Sequence, residues 1–263
     1  MCDHVRVLVR SVHDRGELAD LLRRDPALHA YELGDLDDFF WPYTIWYRHD
    51  DTLALVYHGA GLPTLLAFDR PDRATALVEL LDGMLPLLPR RFYAHLSANV
   101  DSALAKHFQA EPSGLHLKMA LTDVTRLDLM PPAGEALGPA DLPELAALYD
   151  LAYPGNWFDQ RMLETGQYVG IRRDNELVAV AGVHVWSPTY RISALGNVTT
   201  HPGVRGQGLA RAAVAALCRR LLDTVDHITL NVKADNLAAI AVYTRLGFTP
   251  IAAYSEFTFT ARP

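Results

Sequence analysis

Two spacings of apolar residues alternate along this chain. Period-two runs, typical of half-buried strands, include 91–96 and 227–232. Asp174 and Asn175 separate two further runs and predict a hairpin turn. Apolar residues at helical spacing follow a glycine-rich turn; they are Leu209, Ala212, Ala213, Ala216, Leu217 and Leu221. The pattern therefore predicts an α/β (α+β) protein in which sheets are flanked by helices.

The same order of predicted elements occurs twice. Each half reads as two helices, three strands, and then helix, strand, helix and strand. Sliding 92–108 onto 228–244, an offset of 136 residues, aligns a strand and a helix with faint identity. The Pro-rich stretch 130–139 is expected to be a linker. We therefore expect two domains, 1–130 and 133–263.

Composition and charge exclude several classes of protein. The chain has 263 residues, 50% of them apolar, and a formal net charge of −7, which argues against nucleic acid as the main partner. We find no run of eighteen apolar residues and no signal-like N-terminus, so we expect a cytoplasmic location without a membrane partner. Cys2 and Cys218 are too few for a disulfide framework or a zinc site, and we expect no metal. A monomer and a homodimer both stay open.

Residues 197–210, NVTTHPGVRGQGLA, organise the second half of the chain. A strand end meets a stop at His201-Pro202, and Gly206 and Gly208 then allow a sharp turn that leaves the backbone amides uncovered. The first N–H groups of the following helix lack internal partners and carry the positive end of its dipole, so they suit a phosphate. The loop is neither a Walker loop nor a G-x-G-x-x-G fingerprint, because no Gly-Lys-Ser/Thr and no third glycine follow.

Two blocks resemble the GCN5-related N-acetyltransferases (GNAT). Arg205, Gly208 and Ala210 resemble the R-x-x-G-x-A pyrophosphate loop of that superfamily, and 231–248 resembles its closing motif of strand, Asn-bearing cap, helical tyrosine and Leu-Gly-Phe. The resemblance covers roughly 133–263. Within the superfamily, the loop region is most similar to the branch of the glycine N-acyltransferases. The resemblance implies tandem GNAT-like domains, each with a mixed, mostly antiparallel sheet flanked by helices.

The first half lacks such a loop. At the corresponding position it reads AFDRPDRAT, residues 67–75, without a glycine and with one proline. Asp69 and Asp72 would repel a pyrophosphate at the start of the next helix. We therefore expect a degenerate GNAT-like domain that serves as a scaffold or as a wall of the substrate cleft.

The resemblance also implies acetyl-CoA as the acyl donor. The strand before the loop splays from its neighbour in the family, so backbone groups of Val198, Thr199 and Thr200 would pair with the pantetheine arm. Asn231 and Asn236 lie where the family places polar contacts to the arm; strand-end and helix-cap roles are their alternatives. The residues expected to hold the pyrophosphate are Arg205, Gly206, Gln207, Gly208, Leu209, Ala210 and Arg211.

Tyr243 and His184 are the candidate catalytic residues. In the family a tyrosine at the place of Tyr243 points at the sulfur of coenzyme A, and a phenol can protonate a leaving thiolate; core packing is its alternative. Family members often carry a base on the strand before the loop, but here Leu195 and Gly196 cannot accept a proton. His184 on the adjacent strand could do so, or it could be a structural histidine. The other candidates are His201, Glu256 and a water-mediated base.

The remaining expectations concern the acceptor side. A backbone amide near Val198 or Thr199 would stabilise the oxyanion of the tetrahedral intermediate. An aromatic group falls where the family lines its acceptor site, with core packing as the alternative; its members are Tyr153, Trp157, Phe158 and Tyr168.

We expect an N-acetyltransferase that moves the acetyl group to a small-molecule or peptide amine by direct attack in a ternary complex. No covalent intermediate is expected, because Cys218 lies on a helix away from the loop. An N-acyltransferase that uses another acyl-CoA and a non-catalytic acyl-CoA-binding regulatory module are the main alternatives. An aminoacyl transferase is a more distant one.

Overall fold

The computed structural model describes residues 8–59 and 61–262. These residues form two compact units. The first unit comprises the chain as far as Lys118, together with Lys233–Asp235 and the chain from Ala252 onwards. The second comprises Met119–Val232 and Asn236–Ile251. Strands with flanking helices form both units, so the predicted mixed α/β class is confirmed.

Antiparallel strands dominate the first unit. The strands that lie wholly or mainly in it are β1 (Arg10–Val12), β2 (Thr44–His49), β3 (Thr52–Tyr57), β4 (Thr64–Ala67), β5 (Arg91–Ser97) and β6 (Phe108–Leu121). Its helices are α1 (Arg15–Leu22), α2 (Ala30–Gly34), α3 (Ala74–Met84) and α4 (Ser102–Ala105). Strands β1 to β4 are antiparallel neighbours in chain order, and β5 runs parallel to β4.

Local signals in the sequence set where helix α1 begins and which face helix α3 buries. Helix α1 begins after Asp14, whose carboxylate accepts hydrogen bonds from the amides of Gly16 (2.8 Å) and Glu17 (3.1 Å). Helix α3 buries one apolar stripe in the core of the unit. That core includes Leu77, Leu80, Leu81 and Met84 of the helix, with Phe92, Ala94 and Leu96 of β5.

The second unit repeats this order of elements, except that a 3₁₀ turn, Gln160–Thr165, takes the place of the helix α2. Its strands are β7 (Glu135–Leu137), β8 (Tyr168–Arg173), β9 (Glu176–Ser187), β10 (Ile192–Thr200), β11 (His227–Lys233) and β12 (Phe248–Ala261). Its helices are α5 (Leu142–Ala152), α6 (Leu209–Leu222) and α7 (Leu237–Arg245). Strands β7 to β10 are antiparallel neighbours, and β11 runs parallel to β10. Strand β12 begins in this unit, and its residues from Ala252 onwards belong to the first unit, where they pair with β5.

The 136-residue offset and the hairpin turn that the sequence predicts are both present in these elements. Strands β5 and β11 span 91–97 and 227–233, which is the expected offset of 136 residues. Asp174 and Asn175 both have positive φ, 49° and 66°, as a two-residue hairpin turn between β8 and β9 requires. Part of the stretch expected as a linker, residues 135–137, forms strand β7 and pairs with β8.

A polar cluster surrounds Glu256 in the first unit. The hydroxyl of Tyr254 donates to Oε1 of Glu256 at 2.8 Å, and the hydroxyl of Tyr93 donates to Oε2. The Nε2 atoms of His95 and His116 each lie 3.4 Å from a carboxylate oxygen. Burial raises the pKa of Glu256, but His95, Tyr93, His116 and Tyr254 together lower it below its usual value, so the carboxylate stays ionised.

We predict that acidification destabilises the protein through His95. Burial lowers the pKa of this imidazole from 6.5 to about 4. Between these values the unfolded chain binds a proton that the folded chain does not bind. The contribution of neutral His95 to the free energy of unfolding is therefore complete above pH 6.5. It is lost as the pH falls to about 4, and the loss amounts to up to about 3 kcal/mol. Urea unfolding measured at a series of pH values from 7 to 4 checks this expectation.

The variant His95→Gln should flatten that part of the stability curve, because it removes the titrating group. His13→Gln, at an exposed position of the same unit, is the matched control and should keep the wild-type slope. A His95→Gln protein with the wild-type slope would contradict the assignment.

Candidate active site

Strands β10 and β11 separate halfway along their length. Their parallel register ends with Leu195 opposite Leu230, whereas β10 continues to Thr200. On its other edge β10 stays paired with β9, as far as Thr200 opposite Ala179. The edge of β10 that faces β11 is therefore open beyond Leu195. Unpaired strand edges offer N–H and C=O groups to an extended ligand.

A bulge accompanies this opening. The β9–β10 register shifts between Gly196 and Thr199, and Asn197 adopts a left-handed conformation with φ of 55°. The hydroxyl of Tyr149 on α5 donates to the carbonyl oxygen of Asn197 at 2.9 Å. The side-chain amide of Asn197 donates to the hydroxyl of Tyr168 at 3.2 Å. Buried hydrogen bonds thus hold the residues at which β10 opens.

The glycine loop starts helix α6 as the sequence predicts. A short 3₁₀ turn, Pro202–Val204, follows β10, and Nδ1 of His201 accepts a hydrogen bond from the amide of Gly203 at 3.1 Å. Gly206 and Gly208 have φ of 78° and 79°, and Gly208 is the N-cap of α6. The first hydrogen bond of the helix runs from the amide of Ala212 to Gly208 O. The amides of residues 209–211 come before this bond and have no partner within the helix. They form a cluster of donors at the positive end of the helix dipole.

Two side chains of the loop are bound to the protein itself. The guanidinium of Arg205 donates through Nε to Thr200 O at 3.2 Å and through Nη2 to Ala152 O at 3.1 Å. The Gln207 side-chain oxygen accepts a hydrogen bond from Arg173 at 2.6 Å. These contacts shape the loop, so Arg205 and Gln207 can offer a phosphate their backbone amides more readily than their side chains.

Arg211, which is expected to hold the pyrophosphate through its amide, also brings its side chain to the loop. Its Nε is buried without a hydrogen-bond partner among the described residues, and so is Oγ1 of Thr200. Its Nη2 lies 3.8 Å from the place that a Cβ would take on Gly208. A buried, unpartnered guanidinium nitrogen beside a helix N-terminus fits a phosphate oxygen. Only the folded loop brings this side chain over Gly208; sequence spacing pointed to its amide alone.

The two asparagines occupy different environments. Asn231 follows Leu230 on β11, where the two strands part, and it is half-buried. The side-chain oxygen of Asn236 accepts a hydrogen bond from the amide of Ala239 at 3.1 Å and so caps α7. The expected helix-cap role of Asn236 is present, and its contact with the pantetheine arm stays a prediction.

Tyr243 is a protonated phenol on α7. Its side chain is buried, and its ring meets Phe248 edge-on at a centroid distance of 5.9 Å. Burial, with smaller contributions from Tyr153 and Cys218, raises the pKa of Tyr243 above its ordinary value. The phenol therefore keeps its proton at neutral pH, as a general acid requires.

Cys218 is not suited to covalent catalysis. The side chain is fully buried on α6, and burial raises the pKa of its thiol. Since the thiolate is the nucleophile, this residue is inert at neutral pH. The second cysteine, Cys2, lies outside the described residues.

His184 fills a space that β10 leaves free. Ala194 pairs with Val185 and Leu195 pairs with Val183, so His184 is the extra residue of a bulge on β9. Its imidazole covers Gly196: a Cβ added there would lie 2.0 Å from Cδ2 of His184. An imidazole from the neighbouring strand therefore lies over the open strand.

The other base candidates have structural contacts of their own. His201 caps the 3₁₀ turn before the loop. Glu256 lies in the first unit and is bound in the polar cluster described above.

The aromatic group of the acceptor side divides into two kinds of residue. Tyr168 is fully buried, and Phe158 packs on Tyr149 with ring centroids 5.0 Å apart. Tyr153 and Trp157 are exposed. Core packing thus accounts for the first pair, whereas the second pair is available at the surface.

Two features are absent from the described ranges, 8–59 and 61–262. No group of three or more His, Cys, Asp or Glu side chains there could hold a metal ion. No helix there has the length and apolar character needed to cross a membrane.

Known sequences resemble part of the chain. Residues 136–248 match the model of the acetyltransferase (GNAT) family. Over 100 residues the chain is 36% identical to a mycothiol acetyltransferase from Amycolatopsis mediterranei, a match that covers 35% of this chain and 32% of that protein. The matches with the curated relatives cover only between 25% and 33% of their lengths.

Solved structures resemble the chain over nearly its whole length. A Drosophila protein from a structural genomics consortium superposes with a TM-score of 0.70 at 16% identity, over 96% of this chain and 98% of that one. A tandem GNAT protein from the clavulanic acid biosynthesis pathway gives a TM-score of 0.56 at 20% identity, over 97% and 99%. At such identities the likeness shows the fold alone. The match to the acetyltransferase (GNAT) family model, in turn, is confined to residues 136–248.

Proposed function

We propose that the second unit binds acetyl-CoA and transfers its acetyl group to an amine by direct attack in a ternary complex. One observation carries this proposal: the open edge of β10 leads directly into the amide-lined glycine turn. Backbone groups of Val198, Thr199 and Thr200 would pair with the pantetheine arm. The pyrophosphate would lie at the start of α6, where its charge meets the helix dipole.

The described groups fit such a ligand. The backbone amides from Arg205 to Arg211 are the donors proposed for the pyrophosphate, and the open strand edge suits the amides of the arm. The buried unpartnered atoms, Arg211 Nε and Thr200 Oγ1, lie in the same stretch of chain. Asn231 follows the last paired residue of β11 and would add a polar contact.

In the proposed reaction His184 removes a proton from the acceptor amine. The amine nitrogen then attacks the thioester carbonyl, a C–N bond forms, and the C–S bond breaks. A backbone amide near Val198 or Thr199 stabilises the oxyanion. Tyr243 donates its proton to the departing thiolate, the nitrogen of the intermediate gives its excess proton to solvent, and Tyr243 takes one back from solvent. The products are an N-acetylated amine and coenzyme A.

Two alternatives differ in the donor or in the chemistry. An N-acyltransferase that uses another acyl-CoA, as in the glycine N-acyltransferase-like branch, would employ the same groups. A non-catalytic acyl-CoA-binding module is disfavoured by the position of His184 over Gly196, because a binding module needs no proton acceptor there.

The name mycothiol acetyltransferase that several relatives carry favours a small-molecule amine over a peptide as acceptor. The cytoplasmic location stays a prediction, and monomer and homodimer remain alternatives.

We further propose that the first unit is a GNAT-like domain without a coenzyme loop. Strands β4 and β5 are parallel, as β10 and β11 are. At their ends Ser97 Oγ accepts a hydrogen bond from the amide of Asp69 and donates one to its carbonyl oxygen, both at 3.1 Å. The Asp69 carboxylate in turn binds Arg73 at 3.1 Å. These bonds close the gap that is open in the second unit, and a 3₁₀ turn replaces the glycine loop.

Replacing Gly208 by glutamate should abolish coenzyme binding. The φ of 79° disfavours any side chain there, and the added carboxylate would repel the pyrophosphate. We expect the affinity for acetyl-CoA to fall by at least about a hundredfold, measured by calorimetry. Gly114→Glu is the control, since Gly114 also has a positive φ and open surroundings, but lies on β6. Equal affinities of Gly208→Glu and wild type would refute the phosphate site.

The variant Tyr243→Phe should separate binding from chemistry. It keeps the ring on Phe248 and removes only the acidic hydroxyl. We expect kcat, followed by free-thiol release, to fall by about 10² while the affinity for acetyl-CoA stays unchanged. Tyr190→Phe, at a half-buried tyrosine beyond β9, serves as control. An unchanged kcat would remove Tyr243 from the mechanism.

The variant His184→Gln should change the pH dependence of turnover. A histidine base gives kcat/KM a limb that rises with pH, because only a neutral imidazole accepts a proton. In the variant this limb should disappear and kcat/KM should fall by at least about 10². His201→Gln alters a turn cap only and should retain the wild-type profile. A variant of His184 with an intact limb would assign the base elsewhere.

A further inference from the structure

Two glycines and two rings interlock beside the open strand. Gly182 on β9 and Gly196 on β10 are register partners. A Cβ on Gly182 would lie 2.2 Å from Cε1 of Tyr168, and a Cβ on Gly196 would lie 2.0 Å from Cδ2 of His184. Side chains of cross-strand partners point to the same face of a sheet. The ring of Tyr168 and the imidazole of His184 therefore lie on the same face, each over one glycine.

The Tyr168 hydroxyl joins the two backbone segments next to this imidazole. It donates to the carbonyl oxygen of Val183 at 3.2 Å, and this carbonyl belongs to the peptide that precedes His184. It accepts from Nδ2 of Asn197 at 3.2 Å, and Asn197 is the residue after Gly196. One hydroxyl thus fixes the backbone that carries the imidazole and the backbone that the imidazole covers.

A second tyrosine extends this network. Tyr149 donates to Asn197 O at 2.9 Å, and Asn197 is buried in its left-handed conformation. Burial raises the pKa of Tyr149 and of Tyr168, so both hydroxyls remain protonated donors. Hydrogen bonds in such a dry environment restrict geometry strongly, because a broken bond leaves a buried polar group without a partner.

We propose that Tyr168, with Asn197 and Tyr149 behind it, is a positioning residue that holds the imidazole of His184 over Gly196. Tyr168 is fully buried, so it acts through His184 and not on the substrate. The catalytic part of this proposal rests on the function proposed above. The orientation of the imidazole can be measured without turnover.

The variant Tyr168→Phe keeps the ring over Gly182 and removes the hydroxyl. We expect the NMR signals of the His184 imidazole and the midpoint of its titration to shift in the ligand-free protein. We also expect kcat/KM to fall about tenfold while KM for acetyl-CoA stays unchanged. The pH profile of kcat/KM should move in the same direction as the titration midpoint of His184. Tyr149→Phe should cause a smaller shift, because the hydroxyl of Tyr149 binds only Asn197, whereas the hydroxyl of Tyr168 also binds the peptide that precedes His184.

Two further variants make the test decisive. Asn197→Gly retains the left-handed backbone and removes the side-chain donor, and it should reproduce the shift if Tyr168→Phe fails to fold. Tyr47→Phe, at a buried tyrosine of the first unit, should leave the imidazole signals unchanged. Unchanged His184 signals in folded Tyr168→Phe and Asn197→Gly would overturn the proposal.

The outcome distinguishes this proposal from the function on which it rests. Shifted imidazole signals in a protein that acetylates no amine would uphold the positioning of His184 and reject the transferase. A wild-type transferase whose pH profile survives in Tyr168→Phe would uphold the function and reject the positioning role.

Discussion

The separation of two parallel strands is the constraint on which the site depends. Beyond Leu195, β10 has one paired edge and one open edge. Backbone N–H and C=O groups need partners, so an open edge next to a glycine turn favours a ligand that is itself extended and rich in amides. The bulge at Asn197 and the hydrogen bond from the hydroxyl of Tyr149 fix the backbone where this edge opens.

The glycine turn adds electrostatics to this geometry. Its donors are backbone amides at a helix N-terminus, while the Arg205 guanidinium binds the carbonyl oxygens of Thr200 and Ala152. Side chains thus shape the loop, whereas the anion affinity proposed for it would come from the main chain, with the buried Nε of Arg211 as a further donor. In the first unit Ser97 and Asp69 bond to each other across the corresponding strands.

Much of this arrangement could be predicted from local signals. The glycines at 206 and 208, the cap at Asn236 and the Asp174-Asn175 turn each depend on a few neighbouring residues, and the structure has them as expected. The place of His184 depends on a register shift between two strands, which no single segment encodes. Glu256 belongs to the first unit although it stands near the end of the chain, because β12 changes units at Ala252.

The imidazole of His184 and the bare backbone of Gly196 have an evolutionary corollary. Any side chain at position 196 would occupy the volume that the ring now fills. Under the proposed mechanism, a carboxylate at position 196 and an imidazole at position 184 would therefore be mutually exclusive ways to supply the base. Relatives that carry Asp or Glu at the position of Gly196 should carry a small residue at the position of His184. In an alignment, these two positions should change together.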